Sequence, residues 1–315
     1  MLDNLDQDVF SSILMRMKLK SSAAGALDAG GRWAIQFPVY EDFKLQLVLK
    51  GEAWISVEGE PSNYHVKAGD CLLTTGGKPF VVARDLSIQK KIKVESLFRT
   101  AKNGVLTVNE GGDFLSVGTI FQFDGHLHKI IFAHLPSVIH IPGHLEQAAV
   151  LRWSIELFRA EYLERNVGRS LVMNHLTSIM LLQILRIYMT SAKAEKNWLG
   201  ALRDPKLSKA IEVMHSEYQK SWSLDSLAKV TGLSRSGFAL NFRKQIGISP
   251  MDYLTNWRIQ IACGLLQTGE MSMFEVANAV GYESESAFSD AFKRILIVRP
   301  GFYQKNYGDL SQGQT

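Results

Sequence analysis

Between Trp33 and about Val82, apolar and polar residues alternate in short stretches: WAIQFPV, FKLQLVL, AWISVEG, YHVKAGD, CLLTT and PFVVA. A period of two puts alternate side chains on opposite faces of an extended chain, so each stretch predicts a half-buried strand. Gly51, Gly59, Gly69, Gly76 and Gly77 punctuate the series at the even spacing of a small antiparallel barrel or sandwich, and KIKVESLF and DFLSVGTIFQF are candidates to extend it. From about Leu145 to Thr190 the period lengthens to that of two helices, QAAVLRWSIELFRAEYLER and SLVMNHLTSIMLLQILRIYMT, separated at Gly168. The second carries an apolar face of Leu171, Leu176, Ile179, Leu182, Leu185 and Met189 that further apolar residues widen almost all round, so it must be buried on more than one side.

Nearer the C-terminus one pattern occurs twice, as LAKVTGLSRSGFALNF and VANAVGYESESAFSDAF. Ala228 stands four residues before Gly232, and Ala277 four before Gly281. A small residue suits a helix crowded against a second one, and a glycine tolerates the positive φ of the sharp turn that follows. Ser234 and Ser284 are placed to cap the next helix, in which Phe238 and Phe242, or Phe288 and Phe292, repeat at i, i+4 and face inward. The outward face of each second helix is left to read DNA. Between the copies SPMDYLTNWRIQIACGLL predicts one helix capped by Ser249, opened by Pro250, with Tyr253, Leu254, Trp257, Ile261 and Leu265 on one stripe. At roughly 27 Å it would hold two reading helices about one duplex turn apart.

The stretch from Ser221 to Tyr303 resembles the DNA-binding domain of AraC/XylS-type regulators, through the paired units, Pro250, Tyr253, Trp257-Arg258, Gly281-Tyr282, Phe292-Lys293-Arg294 and Arg299-Pro300. Upstream, LVLKGEAWISVEG, VKAGDCLL, GGKPFVV and FQFDGHLHKIIFAHLPSVIHI resemble the cupin-like effector domain found at the N-terminus of many such regulators. The expected fold is α+β: a cupin-like β-barrel followed by helices, then an all-α domain with two helix-turn-helix units joined by a long helix. The expected division is 1–145 for the effector domain, 146–190 for helices that pack or dimerise, 191–204 for a linker, 205–305 for the DNA-binding domain and 306–315 for a tail. The resemblance implies a sequence-specific transcription regulator, an activator rather than a repressor since relatives mostly activate, controlled by a small molecule in the barrel. It further implies promoter DNA, RNA polymerase and a second copy of the chain as partners.

Charge refines this picture. Residues 1–150 sum to −1, 151–199 to +3 and 200–315 to +2 within a chain of net charge +4. A DNA-binding region this mildly basic must place its cations locally, and Arg235, Arg243, Lys244, Arg258, Lys293 and Arg294 sit on or beside the reading and linker helices. The reading positions themselves correspond to Ser236, Ala239 and Leu240 in the first copy and Glu285, Ser286, Ser289 and Asp290 in the second. Many relatives carry Arg at the positions of Leu240 and Asp290. Leu packs only on a thymine methyl and Asp repels phosphate, so the first copy is expected to supply more affinity than the second.

No signal peptide is expected from the acidic start MLDNLDQD, no apolar run from its composition spans a membrane, and Cys71 and Cys263 fit no metal or redox spacing, which together point to the cytoplasm. Trp33, Phe37, Trp54 and Phe80 are the candidate effector contacts, subject to strand register. The alternative function is a cupin metalloenzyme with an accessory DNA-binding domain. Cupin metal sites use a His-x-His pair and a later His, and here Lys44, Gln46 and Phe80 occupy those places, so no cofactor is expected. A weaker metal candidate is His126 and His128, on one face of a strand, with His134 or Asp124 as third ligand.

Overall fold

The computed structural model describes residues 8–17, 19–40, 43–123, 126–164, 166–191 and 197–307. Its first elements are α1 (Val9–Arg16), β1 (Lys20–Ala29), β2 (Ala34–Phe37), β3 (Phe43–Lys50), β4 (Glu52–Val57), β5 (Tyr64–Lys67), β6 (Cys71–Thr74), β7 (Phe80–Ala83), β8 (Ile92–Lys93), α2 (Val94–Phe98), β9 (Val105–Val108) and β10 (Phe114–Gln122). There follow α3 (Leu127–Ile131), β11 (Val138–Ile141), α4 (Ala149–Glu164), α5 (Arg169–Thr190), α6 (Trp198–Ala201), α7 (Pro205–Ser216) and α8 (Leu224–Thr231). The chain closes with α9 (Arg235–Ile246), α10 (Pro250–Thr268), α11 (Met273–Ala279), α12 (Glu285–Leu296) and α13 (Pro300–Tyr307).

These elements form two compact units that do not follow chain order. One comprises Leu19–Gln122 and Leu135–Ala192; the other gathers Met1–Lys18, Phe123–His134 and Lys193–Thr315. The segment expected to form one N-terminal domain, 1–145, thus contributes α1 and α3 to the helical unit. The reason is long-range packing: Ile13 of α1, Met17 just after it and Leu127 of α3 are fully buried, and α1 packs on α7 while α3 packs on α10.

In the first unit a six-stranded sheet, ordered β11-β6-β3-β10-β1-β9, faces a five-stranded sheet, β5-β4-β7-β2-β8. The inward side chains come from both, among them Leu27, Val48 and Phe114 from the larger sheet and Ile35, Ile55 and Val82 from the smaller. The two-residue period decides this, since Ala53, Ile55 and Val57 alternate inward along β4 and leave Trp54 outward. On the other face of β3, Leu45 and Leu47 are buried, and β3 is packed by α4. Asp70 pins the turn before β6: its carboxylate accepts from the backbone N–H of Gly143 (2.8 Å) and Lys67 (3.1 Å) and pairs with His140 Nε2 (3.0 Å). Burial pushes this carboxyl upward, but those partners outweigh it and hold it below the ordinary carboxylate range.

The helix α5 is long and apolar enough by length and composition to cross a membrane, contrary to the reading of the sequence. Its packing supplies partners, since Met173, Leu176, Met180, Ile184 and Leu185 are buried and α5 packs on α4, β1 and β11. The expected face is not wholly covered: Leu171 is 63% exposed and, on α4, Trp153 is 61% exposed.

In the helical unit the expected linker 191–204 contains α6, capped by Asn197, whose Trp198 and Leu199 are buried. Trp198 stacks on Phe10 of α1 with ring centroids 6.4 Å apart. Asp204 then caps α7 and Pro205 opens it.

Candidate functional site

Two helix pairs, α8–α9 and α11–α12, are built alike down to their hydrogen bonds. Each first helix opens with a reciprocal capping box, Ser223 with Ser226 and Ser272 with Glu275, a device worth about 1 kcal/mol. Each turn is closed by the same backbone bond, from Leu233 N to Ala228 O at 3.2 Å and from Tyr282 N to Ala277 O at 2.9 Å. Gly232 and Gly281 take φ of 67° and 83°, and at Gly281 a Cβ would lie 2.6 Å from the carbonyl oxygen of Gln219. Ser234 and Ser284 cap the second helices by accepting from Gly237 N and Ala287 N.

Inside each pair the two phenylalanines meet edge to face, 5.6 Å apart in both Phe238–Phe242 and Phe288–Phe292. A tyrosine then closes each aromatic stack in the same geometry: Phe242 meets Tyr253 and Phe292 meets Tyr303, each at 5.5 Å and 73°. The repeat is therefore longer than the Ala-to-Phe pattern. Its signal was present in the sequence as Pro250-x-x-Tyr253 and Pro300-x-x-Tyr303, both opening a helix. At one place the copies differ: Gly247 ends α9 with φ 90°, whereas Ile297 ends α12 with φ 65°. A β-branched residue in this left-handed region carries strain of about 1–2 kcal/mol.

The helix α10, 19 residues and thus about 28 Å long, runs unbroken between the pairs. Its core is wider than one stripe, since Ile259, Gln260, Cys263 and Leu266 are buried beside Tyr253 and Trp257. Tyr253 Oη ties it to neighbouring helices, accepting from Trp198 Nε1 at 3.0 Å and pairing with His215 Nε2 at 2.9 Å.

On the outward faces the structure exposes Arg235, Ser236, Leu240, Arg243 and Lys244 of α9, and Glu285, Ser286, Asp290, Lys293 and Arg294 of α12, with Ala239 and Ser289 half-buried. Leu240 is 73% exposed, an unusual setting for an apolar side chain without a partner. Arg235 also lies 3.6 Å from Asp225. Arg258 is the exception to the expected set. Its guanidinium donates to the carbonyls of Tyr218 and Lys220, both at 2.7 Å, and lies over the Tyr282 ring at 5.6 Å. From a half-buried position it holds the chain after α7 onto α10 instead of reaching outward.

The expected metal ligands are not brought together. The segment around His126 and His128 is helical, α3, not extended, so the two imidazoles do not share a strand face. His126 Nε2 pairs with Asn256 Oδ1 of α10 at 3.0 Å, His128 stacks on Phe123, and His134 lies against Gly247; Asp124 falls outside the described residues. Burial pushes the His126 imidazole down to about 4, against the raising effect of its bond to Asn256.

Within the sheet unit a cavity of about 230 Å³ opens between β1, β3, β10 and α2. Of the four expected effector contacts only Phe37 lines it. Trp33 and Phe80 are packed into the core, each 1% exposed, and Trp54 faces outward against His65 at 4.6 Å. The polar residues that line it are Lys44, Gln46, Ser116 and Thr119, the first two of which enter the sequence reading only as missing metal ligands. The space exists because Gly25 and Gly118 face each other across β1 and β10, beside a bulge between Ala23 and Gly25.

Comparison with known proteins supplies the family. A cupin family model matches residues 8–190 and a helix-turn-helix domain model matches 227–306. The chain is 32% identical over 300 residues to an AraC-like transcription regulator of Streptomyces antibioticus, covering 95% of this chain and 99% of that one. It is 29% identical over 308 residues to the transcriptional regulator AlkR of Acinetobacter baylyi, covering 95% and 99%. Among solved structures, an AraC-type protein from Chromobacterium violaceum is 25% identical over 36% of this chain and 99% of its own, with a TM-score of 0.33. ToxT from Vibrio cholerae is 14% identical over 91% and 94%, with a TM-score of 0.37. With two similarly built helix-turn-helix pairs following a cupin-like sheet domain in the chain, and a relative this similar along its whole length, the chain belongs to the AraC family of transcription regulators.

Proposed function

We propose that the protein binds promoter DNA through α9 and α12 in successive major grooves, as a regulator whose DNA affinity responds to a small molecule in the sheet-unit cavity. The observation that carries the DNA reading is the unbroken α10 between two matched, capped helix pairs, whose length of about 28 Å approaches the 34 Å of one duplex turn. Ser236, Ala239 and Leu240 read bases from α9, and Glu285, Ser286, Ser289 and Asp290 from α12. Arg235, Arg243, Lys244, Lys293 and Arg294 meet phosphates. With Glu285 and Asp290 on its reading face, α12 contributes less affinity than α9. In a footprint with half-site mutations, equal losses from both halves would sink that asymmetry.

Coupling follows the chain. The cavity strands β1 and β10 pair Lys20 with Gln122, the very ends at which the chain leaves for α1 and for the α3 segment of the helical unit. There α1 packs on α7, and His126 at the start of α3 holds Asn256 of α10. A ligand that shifts β1 and β10 therefore biases the helix that spaces the two readers. The protein acts in the cytoplasm as a homodimer, with the exposed Trp153 of α4 and Leu171 of α5 supporting a second copy as partner, and as an activator it engages RNA polymerase. A gel shift on the promoter beside its own gene, repeated across salt, tests the function: absence of binding at low salt removes the regulator reading, and a monomer in sedimentation at micromolar concentration removes the dimer.

A further inference from the structure

The cavity between β1, β3 and β10 has a chemistry of its own. Lys44 and Gln46 lie on the same side of β3, and their cross-strand neighbours on β10 are Ile120 and Gly118. Gly118 brings no side chain, and a Cβ there would already lie 3.3 Å from the Gln46 amide nitrogen. The glycines thus leave an opening beside one cationic and one amide head. Three rings surround the ammonium: its Nζ lies 4.4 Å from the Tyr40 centroid, 5.6 Å from that of Phe80 and 5.9 Å from that of Phe37. Among the described residues no carboxylate pairs with it. Apart from the hydroxyls of Ser116 and Thr119 the rest of the wall is largely apolar, with Leu27, Val94, Phe98 and Leu106.

We infer that this cavity binds a small organic carboxylate with an apolar body, its carboxylate on Lys44 and Gln46 and its body among Leu27, Val94, Phe98 and Leu106; this rests on the cavity being the effector site proposed above. Aromatic faces stabilise an ammonium only in part, and an unpaired charge in a partly desolvated cavity is corrected most simply by a counter-ion. Burial lowers the Lys44 pKa and among the described residues nothing offsets it, which is the condition an arriving carboxylate reverses. One lysine matches the single charge of a carboxylate, whereas a phosphate dianion would bring a second charge against apolar walls. A volume of about 230 Å³ limits the body to a few carbons or one ring.

The test uses the full chain and three probe pairs: benzoate, phenylacetate and hexanoate, each beside its primary amide, titrated by calorimetry into wild type, Lys44→Met and Lys44→Gln. Two substitutions guard against one that fails to fold, and promoter binding in a gel shift checks that each variant is intact. The expected result is at least one carboxylate bound tenfold or more tightly than its amide, with the preference lost in both variants. Equal binding of acid and amide overturns the carboxylate assignment while leaving the cavity as an effector site. A preference that survives the loss of Lys44 overturns it too, as does failure of all six probes to bind. Each of these outcomes is separate from the regulator reading, which fails only if the wild type does not bind DNA.

Discussion

Replacing Tyr253 by Phe removes one oxygen from the middle of the helical unit and keeps the ring that packs on Phe242. That oxygen is the acceptor for the indole N–H of Trp198, a side chain 1% exposed, and the partner of His215 Nε2. A buried donor left without an acceptor costs about 1–3 kcal/mol, and the bond to His215 adds about 0.5–1.5 kcal/mol. The sum, about 1.5–4.5 kcal/mol, is held where α6, α7 and α10 meet, so the loss should be local. Hydrogen exchange followed by mass spectrometry on the full chain reads it peptide by peptide, without assuming that two units unfold as one. At about 1.4 kcal/mol per tenfold, protection of the slowest amides in α7 and α10 should fall roughly 10- to 1,600-fold, while β3 and β10 keep theirs. A fall of less than about threefold, or an equal fall in the sheet unit, would refute the assignment of Tyr253 as the tie between these helices.

Ile297→Gly should stabilise the second helix pair, because the αL strain of about 1–2 kcal/mol exceeds the 0.5–1 kcal/mol or so that glycine loses in backbone entropy; a lowered melting temperature would contradict this. If the five exposed cations Arg235, Arg243, Lys244, Lys293 and Arg294 all meet phosphates, log K against log salt should slope at about −4 to −5, and Lys244→Ala should reduce the slope by about 1; a slope near −1 would show that they stay in solvent. His126 is held neutral down to about 4, against about 6.5 when unfolded, so the unfolded chain binds more protons in that window. Stability from this group is complete above pH 6.5 and is lost as pH falls to 4, by up to about 3 kcal/mol; His126→Gln should flatten denaturation midpoints of the helical unit across that range, and an unchanged pH profile would sink the reasoning.

Much of the helix-turn-helix half was legible because its determinants are local. Ser234, Ser284, Pro250, Gly232 and Gly281 act on backbone within a turn of themselves, and the i, i+4 phenylalanines fix which face is buried. The outward positions then follow by elimination, and the structure exposes most of them. Arg258 departs because its carbonyl partners, Tyr218 and Lys220, lie about 40 residues away in sequence, where no periodicity points.

The cavity was the opposite case. A shift of one residue inverts every inward list in a strand, and Trp54 fell on the outer face for that reason. Lys44 and Gln46 were visible in the sequence only as the wrong donors for a metal; their meeting with Gly25 and Gly118 depends on the pairing of three strands from distant parts of the chain. The sequence by itself therefore determined the helix starts, the turns, the duplicated reader and the alternation of the sheet, all set by contacts within a few residues. Only the tertiary structure decided that α1 and α3 belong with the helix-turn-helix pairs, that Tyr253 and Tyr303 close the two stacks alike, and that a lysine with no carboxylate partner among the described residues faces an opening in the sheet unit. Those outcomes rest on which distant surfaces bury one another, and burial between remote segments leaves no period in the chain.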